Sequence, residues 1–233
     1  MATYALVHGA WHGAWCWARL TPELEAMGHH TVAVDLPIDD PSASFDDYAD
    51  VVCAAISDQP GDDLIVVGHS LGGLTVSLVA ARRQISHLVY LCALLPIPGQ
   101  PFLFQLRGDR EMTNPDYPKG LGPTDPLGRR SWVDDELAAF HLFGDCDGAT
   151  SSAAIARLRP QALNPYGLPC SLNKFPEVNS SYVVCAEDRM VNPEWSRRTA
   201  SQRLGANVIE MPGSHSPFLS RPRALAVILD SLA

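Results

Sequence analysis

The run Leu64-Ile65-Val66-Val67 passes through Gly68-His69-Ser70-Leu71-Gly72-Gly73 into Leu71–Arg82, whose apolar residues recur at helical spacing. Four consecutive apolar residues after Gly61-Asp62-Asp63 suit a strand buried on both faces of a parallel sheet. A strand that becomes a helix through G-x-S-x-G must turn sharply. The serine is then strained with its hydroxyl exposed, and side chains two residues to either side would clash. The helix that follows aims free N–H groups and its positive dipole end at the serine, favouring a developing anion there. This segment therefore calls for a buried parallel strand with a crossover helix, and for further units of the same kind.

Such units recur along the chain. Tyr4–Val7 is a short apolar run ending at a glycine turn, and Trp15–Met27 is helical in pattern, interrupted by Pro22 and stopped by Gly28. Thr31–Val34 reads as a strand. Ser44–Asp58 reads as a helix, with Asp47 three residues after Ser44 as in a capping box. Leu88–Leu91 is another strand. Beyond Leu95 the alternation stops: eleven of the 19 prolines lie from Pro96 to Pro176, which no central strand tolerates. Within that stretch Val133–Phe143 and Ser151–Arg159 still carry helical spacing. Regular order resumes with Tyr182–Ala186 (strand), Glu194–Leu204 (helix), Asn207–Met211 (strand) and Pro222–Leu232 (helix). The pattern predicts one α/β domain over residues 1–233, with a doubly wound parallel sheet and a Pro-rich, partly helical insertion at about 96–176.

Bulk properties narrow the partners. A net charge of −9 with no basic stripe argues against nucleic acid or an acidic membrane surface. No stretch approaches the roughly 20 apolar residues of a membrane helix, and the N-terminus has no basic leader. Six cysteines are scattered without a C-x-x-C pair, and Cys92 and Cys185 fall in apolar runs where a thiol acts as a small hydrophobe. A reducing, cytoplasmic setting is the expectation. A homodimer is compatible with the sequence but not encoded in any segment of it.

A serine hydroxyl becomes a nucleophile only when a base takes its proton, and that base is a histidine here. With an elbow of this kind the acid and then the histidine follow the serine in the chain, which sets aside His8 and His12. His29, His30 and His87 read as surface residues, His69 as pointing away from Ser70, and His141 as structural or substrate-facing. His215, in Pro212-Gly213-Ser214-His215-Ser216-Pro217 after the last strand, is the base. Glu187 and Asp188 both follow Tyr182–Ala186. Asp188, one residue further into the loop, is the expected partner of His215, with Glu187 the alternative. The oxyanion needs two preorganised N–H donors: Leu71 beside the serine, and Ala10 in the loop His8-Gly9-Ala10-Trp11, which His8 would brace. His8 and His12 lack the helix face and glutamate of a metal motif. Asp145-Cys146-Asp147-Gly148 lacks the other ligands of a calcium loop.

The opening Leu6-Val7-His8-Gly9-Ala10-Trp11-His12-Gly13-Ala14-Trp15-Cys16-Trp17, the elbow and Glu187-Asp188-Arg189 together resemble the plant methylesterase and hydroxynitrile lyase branch of the α/β-hydrolases, with its bacterial esterase relatives. The similarity spans most of the chain and weakens between about Phe102 and Trp132. It implies an α/β-hydrolase fold with a mostly parallel six-stranded sheet, a lid that includes Asp147 and Leu158-Arg159-Pro160-Gln161, and the second oxyanion donor at Ala10. Lyases of this branch carry threonine after the first-loop histidine and lysine after the catalytic histidine, where this chain has Gly9 and Ser216. Without that lysine nothing receives departing cyanide, so ester hydrolysis through an acyl-enzyme is the implied activity, with no cofactor or metal. Trp132, Phe140 and Phe143, with Phe102, Phe104 and Leu142, could line an apolar pocket for a small or medium hydrophobic ester. A thioesterase, lactonase or C–C hydrolase would use the same triad, and a non-hydrolytic ligand-binding protein could keep the fold.

Overall fold

The computed structural model describes residues 1–233. Eight strands are present: β1 (Thr3–Val7), β2 (His30–Val34), β3 (Leu64–His69), β4 (His87–Leu91), β5 (Arg129–Arg130), β6 (Gln161–Ala162), β7 (Ser180–Cys185) and β8 (Asn207–Met211). Six of them form one sheet in the order β2-β1-β3-β4-β7-β8, and every pairing in it is parallel. The four inner strands are buried along almost their whole length. The edge strands β2 and β8 bury only one end fully, which is why Leu64–Val67 reads as a continuous apolar run and Thr31–Val34 does not.

The helices are α1 (Thr21–Ala26), α2 (Phe45–Ala55), α3 (Gly72–Arg82), α4 (Phe102–Gly108), α5 (Asp135–Leu142), α6 (Gly148–Ile155), α7 (Asn164–Gly167), α8 (Pro193–Thr199), α9 (Pro217–Ser220) and α10 (Pro222–Asp230). The capping box at α2 forms: the Ser44 hydroxyl accepts from Asp47 N, and Ser44 N donates to the Asp47 carboxylate at 2.7 Å. The helix expected over Trp15–Met27 is split into a 3₁₀ turn, Ala14–Arg19, and α1, whose first turn takes Pro22. The chain leaves β1 for β2 on one side, then crosses to β3 on the other. The crevice where those connections part lies at the carboxyl ends of β1 and β3, the usual ligand position in open α/β sheets.

Residues 92–179 separate β4 from β7 and contain α4 to α7 and the antiparallel ladder β5–β6. This segment is tied to the loop after β2. Arg159 donates to Asp35 at 3.0 Å, Leu36 O at 3.1 Å and Asp39 at 2.6 Å, and Ala162 N donates to Ile38 O at 2.7 Å. No helix is long and apolar enough to cross a membrane. His29, expected at the surface, is buried instead: its Nδ1 accepts from Ala2 N at 3.1 Å and its Nε2 meets Asp230 of α10 at 2.9 Å.

Candidate active site

Ser70 lies between β3 and α3 with φ 52°, the strained backbone a nucleophile elbow requires. Its amide donates to Leu91 O of the neighbouring strand at 3.1 Å, and its carbonyl accepts from Gly73 N and Leu94 N at 3.0 and 2.9 Å. A Cβ at Gly68 would stand 2.4 Å from Val76 Cγ2 of the helix that follows, so only glycine lets α3 pack back onto β3. No side chain caps the start of α3, so the Leu71 N–H beside Ser70 is not taken up by a cap.

The loop after β1 lies directly against the elbow: a Cβ at Gly9 would come within 2.7 Å of Ser70 Cβ. Three consecutive carbonyls of this loop are tethered. His8 Nδ1 donates to Gly9 O at 2.8 Å, His12 Nδ1 donates to Ala10 O at 2.8 Å, and Arg159 N donates to Trp11 O at 2.7 Å. His8 Nε2 accepts from Leu36 N at 3.0 Å, which fixes the tautomer. Burial lowers the His8 pKa to about 4 and that of His12 to about 3, so both imidazoles are neutral in the folded protein.

His215 follows β8 through Gly213, whose φ is 119°. Its Nδ1 donates to Asp188 Oδ2 at 2.8 Å, with both side chains almost wholly enclosed. The other Asp188 oxygen accepts from Met190 N at 2.7 Å and Val191 N at 3.0 Å, fixing the carboxylate's orientation. Glu187 is engaged elsewhere: its carboxylate accepts from Gly213 N and bears on the backbone of the loop, not on the imidazole. Asp145 holds the same loop through Ser214 Oγ at 2.5 Å and Arg221 Nε at 3.0 Å, and Asp147 caps α6 through Thr150 N. The acidic Asp145–Gly148 segment is thus accounted for by backbone and loop anchoring.

His69 has a partner that the sequence does not reveal. Its side chain does leave Ser70, as strand alternation requires, but it meets His215. Its Nε2 donates to His215 O at 2.9 Å and the two rings are 4.6 Å apart. Burial, followed by the neighbouring imidazoles His215 and His12, holds the His69 pKa well below its ordinary value. The elbow and the histidine loop are therefore joined by a neutral imidazole. No local signal reveals this link, because its partner lies 146 positions away.

The aromatic residues expected at the pocket divide. Trp132 stands edge-on to Trp11 of the β1 loop at 5.6 Å, and Phe143 is buried edge-on to His12 at 5.8 Å. Phe140 is 45% exposed with the Arg189 guanidinium over its ring at 4.5 Å, so it is not brought to Ser70. On α5 the buried residues are Ala138, His141 and Leu142, and Phe140 falls on the outer face. Phe104 is also exposed, while Phe102 packs on Tyr166. Ser70 itself is buried, only 6% exposed. A cleft of about 450 Å³ between α5 and α6, with Trp132 on its wall, opens to the outside.

The alpha/beta hydrolase family model matches residues 5–228, and the chain belongs to that family. Methylesterase 7 of Arabidopsis thaliana is 27% identical over 99% of this chain and 95% of its own length. Salicylic acid-binding protein 2 of Nicotiana tabacum is 28% identical over 99% and 96%. The crystal structure of a pyrethroid hydrolase from Sphingobium faniae JZ-2 superposes with a TM-score of 0.83 at 26% identity, covering 99% of this chain and 96% of that one. Relatives of the esterase type thus span essentially the whole chain, lid included.

Proposed function

We propose that this protein is a serine esterase that hydrolyses a small to medium hydrophobic carboxylic ester through an acyl-enzyme on Ser70. The observation that carries the reading is the enclosed His215–Asp188 pair, fixed to a serine elbow by His69. Ser70 Oγ attacks the ester carbonyl while His215 Nε2 takes its proton. Asp188 holds the tautomer in which Nδ1 carries hydrogen, and it steadies the imidazolium without itself being protonated. The N–H groups of Ala10 and Leu71 receive the oxyanion. His215 then protonates the leaving alcohol, and a water activated by the same imidazole releases the acid.

Trp132 and Phe143 of the lid pack edge-on to Trp11 and His12 of the loop beside the elbow, an aromatic surrounding that favours an apolar acyl or alcohol group. Relatives named methylesterase and pyrethroid hydrolase are in keeping with this substrate class. Gly9 and Ser216 favour hydrolysis over cyanohydrin cleavage, because no lysine charge follows His215. Six free thiols, three of them fully buried, suit a cytoplasmic enzyme. The test is turnover of p-nitrophenyl esters from acetate to decanoate by the parent and by Ser70→Ala. Turnover that depends on chain length and vanishes in the variant supports the reading. Turnover that survives in Ser70→Ala overturns it.

A further inference from the structure

Three residues other than glycine have positive φ: Trp11 at 61°, Ser70 at 52° and Cys92 at 47°. The first two belong to the β1 loop and the elbow. Cys92, directly after β4, takes no part in the proposed chemistry. Its amide donates to Val183 O at 2.9 Å and its side chain is buried. Its Sγ, a carboxylate oxygen of Asp188 and a ring nitrogen of His215 all lie within 4.8 Å of one another.

We propose that Cys92, Asp188 and His215 form an inhibitory Zn²⁺ site. A thiolate, an imidazole nitrogen and a carboxylate oxygen are the three ligand types zinc takes, at about 2.0–2.3 Å each. Ligand atoms of a tetrahedral site therefore stand roughly 3–4 Å apart, within a modest side-chain adjustment of the present arrangement. Mg²⁺ and Ca²⁺ require six or more oxygens, and this site offers one carboxylate. One Asp188 oxygen is already held by Met190 N and Val191 N, so Oδ2 is the one that turns to the ion. The ion replaces the thiol proton of Cys92, which leaves to solvent, and binds His215 at Nδ1 as the neutral imidazole, whose one ring proton moves to Nε2. One proton is released and no electrons move. His215 then loses the carboxylate contact that orients it. Enclosure of all three side chains makes binding slow.

Only the inhibition rests on the esterase reading; the binding does not. The experiment follows ester turnover under Zn²⁺ and, separately, the ultraviolet thiolate-to-metal band of Cd²⁺ in the intact protein. The parent is compared with Ser70→Ala, Cys92→Ala and Cys92→Ser. The expected result is slow inhibition of the parent by Zn²⁺, reversed by EDTA and absent with Mg²⁺. Cys92→Ala and Cys92→Ser keep turnover and lose at least about tenfold in Zn²⁺ sensitivity. Ser70→Ala gives the full Cd²⁺ band, so the site is read even where no ester turns over. A band in Ser70→Ala without turnover in the parent supports the metal site and sinks the esterase reading. Equal Zn²⁺ sensitivity in either Cys92 variant, or a Cd²⁺ band unchanged by both, overturns the proposal.

Discussion

Replacing His8 by leucine tests whether the proposed oxyanion peptide must be held from behind. Gly9 C=O and Ala10 N–H belong to one peptide unit, so the 2.8 Å bond from His8 Nδ1 to Gly9 O sets the direction in which Ala10 N–H points. On the far side of the ring, Nε2 accepts Leu36 N–H at 3.0 Å. Leucine supplies neither partner at a fully buried position. Each buried backbone group left unpaired costs about 1–3 kcal/mol, so stability falls by roughly 2–6 kcal/mol. For the chemistry, loss of a whole oxyanion donor lowers kcat by about 10²–10³. A donor that stays but tilts loses less, about 10- to 100-fold. Asparagine is the control, since its amide N–H can stand near the former Nδ1–H and rescue most of kcat. The assay measures kcat and KM on a p-nitrophenyl ester, with the Ki of a trifluoromethyl ketone that forms an oxyanion on Ser70. That Ki should rise in step with the fall in kcat while KM holds, the signature of an interaction made in the transition state. A folded His8→Leu protein, verified by its melting curve, with kcat within about twofold of the parent would refute the reasoning. So would asparagine performing no better than leucine.

Acid should destabilise the fold through its neutral histidines. His8, His12 and His69 are held unprotonated by burial, with His8 near 4 and His12 near 3, whereas the unfolded chain binds protons below about 6.5. The unfolded state therefore carries more protons between pH 6.5 and 4, and stability must fall as pH drops through that window. Three protons taken up give a slope of at most about 4 kcal/mol per pH unit, measured by urea unfolding across the range. A flat profile there would mean these imidazoles are already charged in the fold. Asp188→Asn should lower kcat by about 10⁴, because the amide favours the wrong tautomer of His215. Glu187→Gln, which bears on Gly213 N, should leave kcat within about threefold. Single-turnover acylation of both variants decides between the two acids, and the reverse order would move the proposed triad to Glu187.

Much of the sheet was legible because its strands satisfy their apolar pattern locally. Leu64–Val67, Thr31–Val34 and Asn207–Met211 each fall inside an observed strand. The Ser44–Asp47 cap was legible for the same reason. What escaped depends on partners far along the chain. β5 and β6 are two residues each and exist only by pairing with one another across the lid. α4 begins directly after Pro101 and is too short to show a period. His29 looked like a surface residue because its covers, Ala2 and Asp230, come from the two ends of the chain. Phe140 was misjudged on composition: one position along α5 separates an exposed aromatic from the buried His141.

The three strained residues follow β1, β3 and β4, which are neighbours in the sheet. A positive φ at a side-chain-bearing residue costs about 1–3 kcal/mol, so it persists only where the surroundings over-determine it. Here the strands beneath supply that constraint: β1 and β3 are wholly buried and β4 nearly so, and Ser70 and Cys92 each donate a backbone hydrogen bond to the next strand in the sheet. The loops themselves add the remainder through His8, His12 and Arg159 on one side and His69 on the other. A floor with tethered loops would keep the proposed Ala10 and Leu71 donors fixed before any substrate arrives. Ser70 is only 6% exposed, so substrate entry is a separate step from the chemistry. Acyl-chain selectivity should accordingly reside in Trp132 and its lid neighbours, and the rate of bond cleavage in the floor.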